Sequence, residues 1–107
     1  MSQTDQPVVL ITGAARRIGA VTARLFHKAG YRVVIHYNRS AAAADKLCEQ
    51  LNGERTDSCL LVQADLNNVA DLDNITDLIT SLGRLDVLIN NASSFYPTPL
   101  ELSLIHI

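Results

Sequence analysis

Small residues and glycines follow the first apolar run of the chain, in a spacing that suits a bound phosphate. The run at 8–12 leads into Gly13, and five residues separate Gly13 from Gly19, where an amphipathic pattern begins. A dinucleotide pyrophosphate needs backbone N–H donors near a helix N-terminus, and side chains would block its approach. The stretch therefore predicts a phosphate loop, although a glycine turn between a strand and a helix also has a structural use of its own.

A second group of candidate binding residues ends the next apolar run: Tyr37, Asn38, Arg39 and Ser40. At this place in nicotinamide-binding folds an acidic side chain binds the adenosine ribose, whereas an arginine accommodates a 2′-phosphate. No acid is present here, and the guanidinium of Arg39 and the hydroxyl of Ser40 suit a phosphate. The pattern favours NADPH over NADH. The alternative is that Arg39 is a solvated loop residue and Ser40 only a helix cap.

The hydrophobic pattern alternates between strand and helix periods and predicts the order β-α-β-α-β-α-β. The predicted strands are 8–12, 32–37, 59–62 and 85–90, and the helices start at Gly19, Ser40 and Asn67 or Asn68 and end at Gly30, Asn52-Gly53 and Gly83. Right-handed crossovers make such a sheet parallel. We expect an α/β fold, the N-terminal part of a doubly wound parallel-sheet Rossmann fold with strand order 3-2-1-4.

Each predicted helix carries one apolar stripe. The stripes are Ile18, Val21, Thr22, Leu25, Phe26 and Ala29; Ala44, Leu47, Cys48 and Leu51; and Leu72, Ile75, Ile79 and Leu82. The first two helices should cover one face of the sheet and the third the other, which leaves the fourth strand as an unpaired edge. Cys48 and Cys59 are interpreted as small buried side chains, and His27 and His36 as structural, since nothing places a carboxylate beside either histidine. The acids Asp71, Asp73 and Asp77 are interpreted as a solvated face.

Composition limits the possible partners and locations. With 107 residues, 48% of them hydrophobic, the chain fits one domain over 1–107, and its net charge of −2 offers no basic field for nucleic acid. The N-terminus has no targeting signal, and no apolar run is long enough to span a membrane. The two cysteines lack a metal-binding spacing. We expect a cytoplasmic protein that binds neither nucleic acid, membrane nor metal.

Three motifs together resemble the short-chain dehydrogenase/reductase family: Thr12-Gly13-x-x-x-Arg17-x-Gly19, Asp65-Leu66, and Asn90-Asn91-Ala92. Within that family, the stretches at 36–40 and 90–100 are similar to pteridine reductases. Arg17 replaces the middle glycine of the usual phosphate loop, and Ser93 replaces the glycine that usually follows Asn-Asn-Ala. The similarity spans residues 8 to 100 and implies an NADPH-dependent reductase of pterins or folates, whose parent protein is a homotetramer.

The resemblance also implies roles for single residues. Arg17 would face both the cofactor phosphate and the pterin, Ser93 would contact both ligands, and Phe95 would stack on the pterin ring. Further cofactor contacts are implied for Ile18, Asp65, Leu66, Asn91 and Ala92. Asp65 would accept a hydrogen bond from the adenine amino group, although an acid after a strand often only caps the next turn. Asn90 would hold neighbouring strands together.

The catalytic pair of this family, Tyr-x-x-x-Lys, does not occur in the sequence. Tyr31, Tyr37 and Tyr96 are followed four residues later by Ile35, Ala41 and Leu100. We therefore assign no catalytic residue and expect a truncated, cofactor-binding half of a reductase, in which residues 102–107 are a non-native tail. Two alternatives to pterin reduction stay open at this point: reduction of a ketone or acyl carbonyl, and a non-catalytic dinucleotide-binding module.

Overall fold

Strands and helices alternate along the chain in the computed structural model, which describes residues 6–14, 17–91 and 105–106. The elements are β1 (Val8–Thr12), α1 (Arg17–Lys28), β2 (Arg32–Tyr37), α2 (Ala41–Glu54), β3 (Cys59–Gln63), α3 (Val69–Leu82), β4 (Val87–Asn90) and β5 (Ile105–His106). All strand pairs are parallel, in the order β3-β2-β1-β4-β5. The predicted order 3-2-1-4 is confirmed. The prediction that the fourth strand is an unpaired edge is wrong, because Val87 pairs with Ile105 of β5.

The sheet has a core on each face, as expected for a parallel sheet covered by helices on both sides. Alternate residues of β1 point to opposite faces, because side chains along a strand alternate. Val9 and Ile11 pack with α1 and α2, whereas Val8 and Leu10 pack with α3. The predicted placement of two helices on one face and one helix on the other is confirmed.

Helix α1 differs from its prediction in both its start and its buried face. It begins at Arg17 rather than Gly19. Four residues of the predicted apolar stripe are exposed, namely Ile18 (73%), Val21 (57%), Leu25 (64%) and Ala29. The buried residues are Gly19, Ala23 and His27. A Cβ on Gly19 would lie 2.7 Å from the Cα of Ala14, so the helix approaches the turn after β1 too closely for a large side chain there.

The other helices follow their predictions more closely. The buried residues of α2 are the four predicted ones, but the helix continues through Gly53 to Glu54 instead of ending at Asn52-Gly53. Asn68 caps α3 by accepting a hydrogen bond from the N–H of Ala70, and Gly83 ends the helix with a φ of 80°. Glycine adopts such a positive φ without the steric cost of a Cβ. The structure therefore confirms the predicted ends of α3.

The cysteines and the start of β4 test two further predictions. Cys48 and Cys59 are free and buried, as predicted. Strand β4 begins at Val87, two residues after its predicted start, because 83–86 form the connection from α3. In the described part of the chain, no helix combines the length and the apolar character that a membrane crossing requires.

Candidate functional site

The carboxyl ends of β1 to β4 lie at one edge of the sheet, because the four strands are parallel. We call this the carboxyl edge; ligands of open α/β sheets bind there. It brings together the predicted site residues Gly13, Arg17, Ile18, Tyr37, Asn38, Arg39, Ser40, Asp65, Leu66 and Asn91. The predicted site residues Ala92, Ser93 and Phe95 lie outside the described residues.

The turn after β1 is held by a histidine of the neighbouring strand. Gly13 has a φ of 63°, and its N–H donates to Nδ1 of His36 at 3.1 Å. The N–H of Ala14 donates to the carbonyl of His36 at 3.2 Å, and the histidine Nε2 donates to the carbonyl of Ala64 at 2.8 Å. Burial lowers the pKa of His36, although the Ala64 carbonyl opposes this. The neutral ring agrees with the structural interpretation of His36 and connects the turn to the end of β3.

Gly19 allows α1 to start directly against this turn. A Cβ at this position would lie 2.7 Å from the carbonyl oxygen of Gly13 and 2.9 Å from Nδ2 of Asn91, distances that real Cβ atoms do not reach. The four N–H groups that open a helix have no acceptor within it. Because Gly19 lacks a side chain, the N–H groups that open α1 lie beside the glycine turn at the carboxyl edge.

Asparagines at the end of β4 fasten that strand to the turn. The hydroxyl of Thr12 lies 3.1 Å from Oδ1 of Asn90 and accepts a hydrogen bond from the N–H of Asn91 at 2.9 Å. Nδ2 of Asn91 donates to the carbonyl of Gly13 at 3.2 Å. The expected strand-holding role of Asn90 agrees with this geometry, and the side chain of Asn91 has the same kind of role.

The loop after β2 presents a cation to solvent. Arg39 is exposed, and Ser40 is partly buried at the N-cap position of α2 without a side-chain capping bond. The predicted N-cap position of Ser40 is confirmed, but its side chain makes no capping hydrogen bond. Asn38 is held by Gln63, whose Nε2 donates to the backbone carbonyl and to Oδ1 of Asn38 at 3.2 and 3.3 Å. Sequence reasoning missed Gln63, because a polar residue at the end of a strand carries no signal of its partner. Tyr37 packs against the core shared with α1 and α2.

Asp65 takes part in the turn after β3. Its Oδ1 accepts from the N–H of Asn67 at 2.9 Å, and its own N–H donates to Oδ2 of Asp71 at 3.0 Å. This is the turn-capping alternative that the sequence left open. The interpretation of Asp71 as part of a solvated face is wrong, since its carboxylate holds the backbone of this turn. Leu66 is partly buried against the core beneath α3.

Arg17 opens α1 in an unusual backbone conformation. Its φ is 34°, a value that side-chain-bearing residues rarely adopt, and it is exposed to solvent. Ile18 follows it and is 73% exposed. Both residues thus lie at the carboxyl edge and are accessible to a ligand.

At the opposite edge of the sheet, His27 lies between a serine and a glutamate. Its Nε2 lies 2.7 Å from Oγ of Ser58, and its Nδ1 lies 3.8 Å from Oε1 of Glu54. The expectation that no carboxylate lies beside His27 is wrong, because α2 continues to Glu54. Ser58 is fully buried and its Oγ also lies 3.1 Å from the carbonyl of Leu51. The cluster therefore joins helix ends and lacks the substrate access that a nucleophilic serine needs.

The sheet order and the glycine turn before α1 define the doubly wound α/β class of protein. Residues 7–103 match the family model described as short chain dehydrogenase, and the chain belongs to this family of oxidoreductases, which bind nicotinamide dinucleotides.

Known relatives include reductases of different substrates. The chain is 46% identical over 112 residues to Pteridine reductase 1 of Leishmania tarentolae, an alignment that covers 88% of this chain and 39% of the relative. It is 34% identical to a 3-oxoacyl-[acyl-carrier-protein] reductase of Synechocystis, covering 86% and 37%. It is 36% identical to Versicolorin reductase 1 of Aspergillus parasiticus, covering 82% and 34%. The chain thus spans about two fifths of the length of these relatives or less.

Proposed function

We propose that this chain is the cofactor-binding part of an NADPH-dependent reductase that acts on the C=N bond of a pterin or folate. The observation that carries the cofactor choice is the loop after β2, where Arg39 is exposed, Ser40 follows it in the chain, and residues 37–40 include no acid. Similarity to a protein named Pteridine reductase 1 supports the substrate class. The relatives of this chain are reductases of small molecules, which is consistent with both choices.

The carboxyl edge fits a dinucleotide in two places. A pyrophosphate is accommodated where Gly19 leaves no Cβ between the turn and α1, since the first N–H groups of a helix have no acceptor within it and the helix dipole favours an anion there. A 2′-phosphate is accommodated at Arg39, whose guanidinium binds phosphate oxygens in a planar fork. Gly13 contributes its conformation and lack of a side chain, because its own N–H donates to His36.

When bound, NADPH supplies the hydride for the reduction. The residues of this chain bind the cofactor and orient the pterin. Arg17 extends into solvent from the first position of α1, where its charge can meet the cofactor phosphate and an electron-rich pterin. The pterin clamp further includes Ser93 and Phe95, and Ala92 joins the residues that line the cofactor. Offset stacking of an aromatic ring such as Phe95 on a flat heterocycle contributes about 1 kcal/mol beyond the buried area.

A second candidate is reduction of a ketone or acyl carbonyl. It is favoured by the name of the Synechocystis relative, a 3-oxoacyl-[acyl-carrier-protein] reductase. A third is a non-catalytic dinucleotide-binding module, which needs no Tyr-x-x-x-Lys pair. NADPH oxidation with dihydropterin or dihydrofolate, measured on the product of the full open reading frame that encodes this sequence, separates the first from the others. Activity with a carbonyl panel and none with pterins would overturn the pterin proposal.

The cofactor choice is tested on the chain itself by binding NADP⁺ and NAD⁺ to an Arg39→Ala variant. Charge-assisted hydrogen bonds contribute about 1.5 kcal/mol at the low end of their range, which suits an exposed site, so NADP⁺ affinity should fall about tenfold. NAD⁺ affinity should not change. The control is Arg24→Ala, since Arg24 is also exposed but bonds to Gln50 between α1 and α2. Equal affinity of the unmodified chain for both dinucleotides would contradict the proposal.

A further inference from the structure

His36, a residue of the neighbouring strand β2, accepts hydrogen bonds from both described N–H groups of the glycine turn. His36 accepts from the N–H of Gly13 through Nδ1 and from the N–H of Ala14 through its carbonyl. Its Nε2 donates to the carbonyl of Ala64. The side chain is 2% exposed, so water cannot replace these partners without opening the sheet.

The hydrogen-bond pattern requires one form of the imidazole. Because the backbone N–H of Gly13 is a donor, Nδ1 must carry a lone pair, and the proton is on Nε2, where it meets the Ala64 carbonyl. A ring protonated on both nitrogens would direct an N–H at the N–H of Gly13. The turn is therefore matched to the neutral Nε2–H tautomer.

This arrangement also divides the backbone donors near the phosphate site. The N–H groups of Gly13 and Ala14 are used by His36, so a pyrophosphate must take its backbone hydrogen bonds from residues that follow Ala14, toward the start of α1. The position of the first turn of α1 depends on the glycine turn, which connects it to β1. The φ of 63° at Gly13 reverses the chain there, and the His36 ring fixes the peptide that carries it.

We propose that His36 is the positioning residue of the dinucleotide site: through the hydrogen bond that its Nδ1 accepts from the N–H of Gly13, it holds the glycine turn where the pyrophosphate meets α1. The inference rests on the proposed NADPH-binding function and extends it to a residue that does not touch the cofactor. It acts on the pyrophosphate end of the site only, because the 2′-phosphate end is formed by Arg39 and Ser40 in the loop beyond β2.

Two substitutions separate the bonds of the imidazole. In His36→Asn the amide oxygen can take the place of Nδ1 and accept from Gly13, whereas in His36→Gln the amide nitrogen can take the place of Nε2 and donate to Ala64. Each variant keeps one polar contact and loses the other, so they are matched controls. If His36 only stabilised the fold, both substitutions would change NADP⁺ affinity by the same factor.

The experiment measures NADP⁺ and adenosine 2′-monophosphate affinity of the 107-residue chain and of both variants. The His36→Gln variant should bind NADP⁺ about tenfold more weakly, the effect of one lost hydrogen bond, and the His36→Asn variant should stay within about threefold of the original. Adenosine 2′-monophosphate, which has no pyrophosphate, should bind all three proteins alike. Equal loss of NADP⁺ affinity in both variants, or no loss in either, would overturn the inference while the cofactor proposal stands.

A second measurement needs neither ligand nor variant. The ¹⁵N chemical shifts of the imidazole at neutral pH should show the Nε2–H tautomer for His36, and the Gly13 N–H should exchange slowly with solvent. An Nδ1–H tautomer or a rapidly exchanging Gly13 amide would overturn the inference. A chain that shows both expected signals but binds no NADP⁺ would instead overturn the proposed function, and with it the role of His36 toward the cofactor.

Discussion

Replacing Gly19 by alanine tests how closely α1 approaches the glycine turn. The new methyl group would lie 2.7 Å from the Cα of Ala14, 2.7 Å from the carbonyl oxygen of Gly13 and 2.9 Å from Nδ2 of Asn91. Two of these atoms belong to the backbone and cannot rotate away. The methyl group therefore forces the helix and the turn apart, and it also displaces the Asn91 amide from the carbonyl that it contacts.

The size of the effect follows from two opposing terms. Alanine in place of glycine stabilises a helix interior by about 1 kcal/mol. Overpacking of a closely packed contact costs about 1–3 kcal/mol, and the backbone contacts at Gly19 place the cost in the upper half of that range. The free energy of unfolding should therefore fall by about 1–2 kcal/mol in net terms.

The chain contains a matched control in Gly53, which is also helical but has open space within 4 Å of the point where an alanine methyl group would stand. Gly53→Ala should stabilise by about 0.5–1 kcal/mol. Urea unfolding followed by circular dichroism gives both values. The two variants should move the transition midpoint in opposite directions. If Gly19→Ala proves as stable as Gly53→Ala, α1 does not approach the glycine turn as closely as described.

Two further predictions concern buried titratable groups. Burial lowers the pKa of His27, with Arg55 adding to the effect, and burial also lowers the pKa of His36. The unfolded chain then binds more protons than the folded chain below about pH 6.5. The free energy of unfolding should therefore be highest above that pH and should fall as the pH decreases toward the pKa values of the two histidines in the folded protein. Urea midpoints at about pH 7.5 and about pH 5.5 measure this, and an unchanged midpoint would contradict it; His27→Gln should reduce the difference. Burial also raises the pKa of the thiols of Cys48 and Cys59. Both should therefore react with Ellman's reagent only on unfolding, so rapid labelling of either thiol in native buffer would refute their burial.

The strands and most helix stripes could be predicted because their signals are local. The strand β1 follows from its run of branched apolar residues, and the four buried residues of α2 follow from their helical spacing. The buried face of α1 could not be predicted in this way. Its apolar residues Ile18, Val21 and Leu25 recur at helical spacing. The face that lies on the sheet is nevertheless the one with the small residues Gly19 and Ala23, because the helix makes a close contact at Gly19. Periodicity identifies which residues share a face, but the space available decides which face is buried.

The candidate site shows the same division. The glycine turn and the cation of the second loop were predictable, since each is a residue type whose chemistry indicates a ligand. The partners that hold them were not, because Gln63 meets Asn38 and His27 meets Glu54 only after distant segments fold. A histidine inside a buried strand does signal a required partner, but the sequence alone does not name it.

The bonds around the glycine turn span very different lengths of chain. The contact between Gly13 and His36 bridges 23 positions, whereas those that join β4 to β1, from Val8 to Asp86 and from Thr12 to Asn91, bridge 78 and 79. Loop-closure entropy makes the longer closures costlier by about 1 kcal/mol. The histidine can thus set the turn while the chain is still emerging from the ribosome, and the asparagines secure it only after β4 has been synthesised.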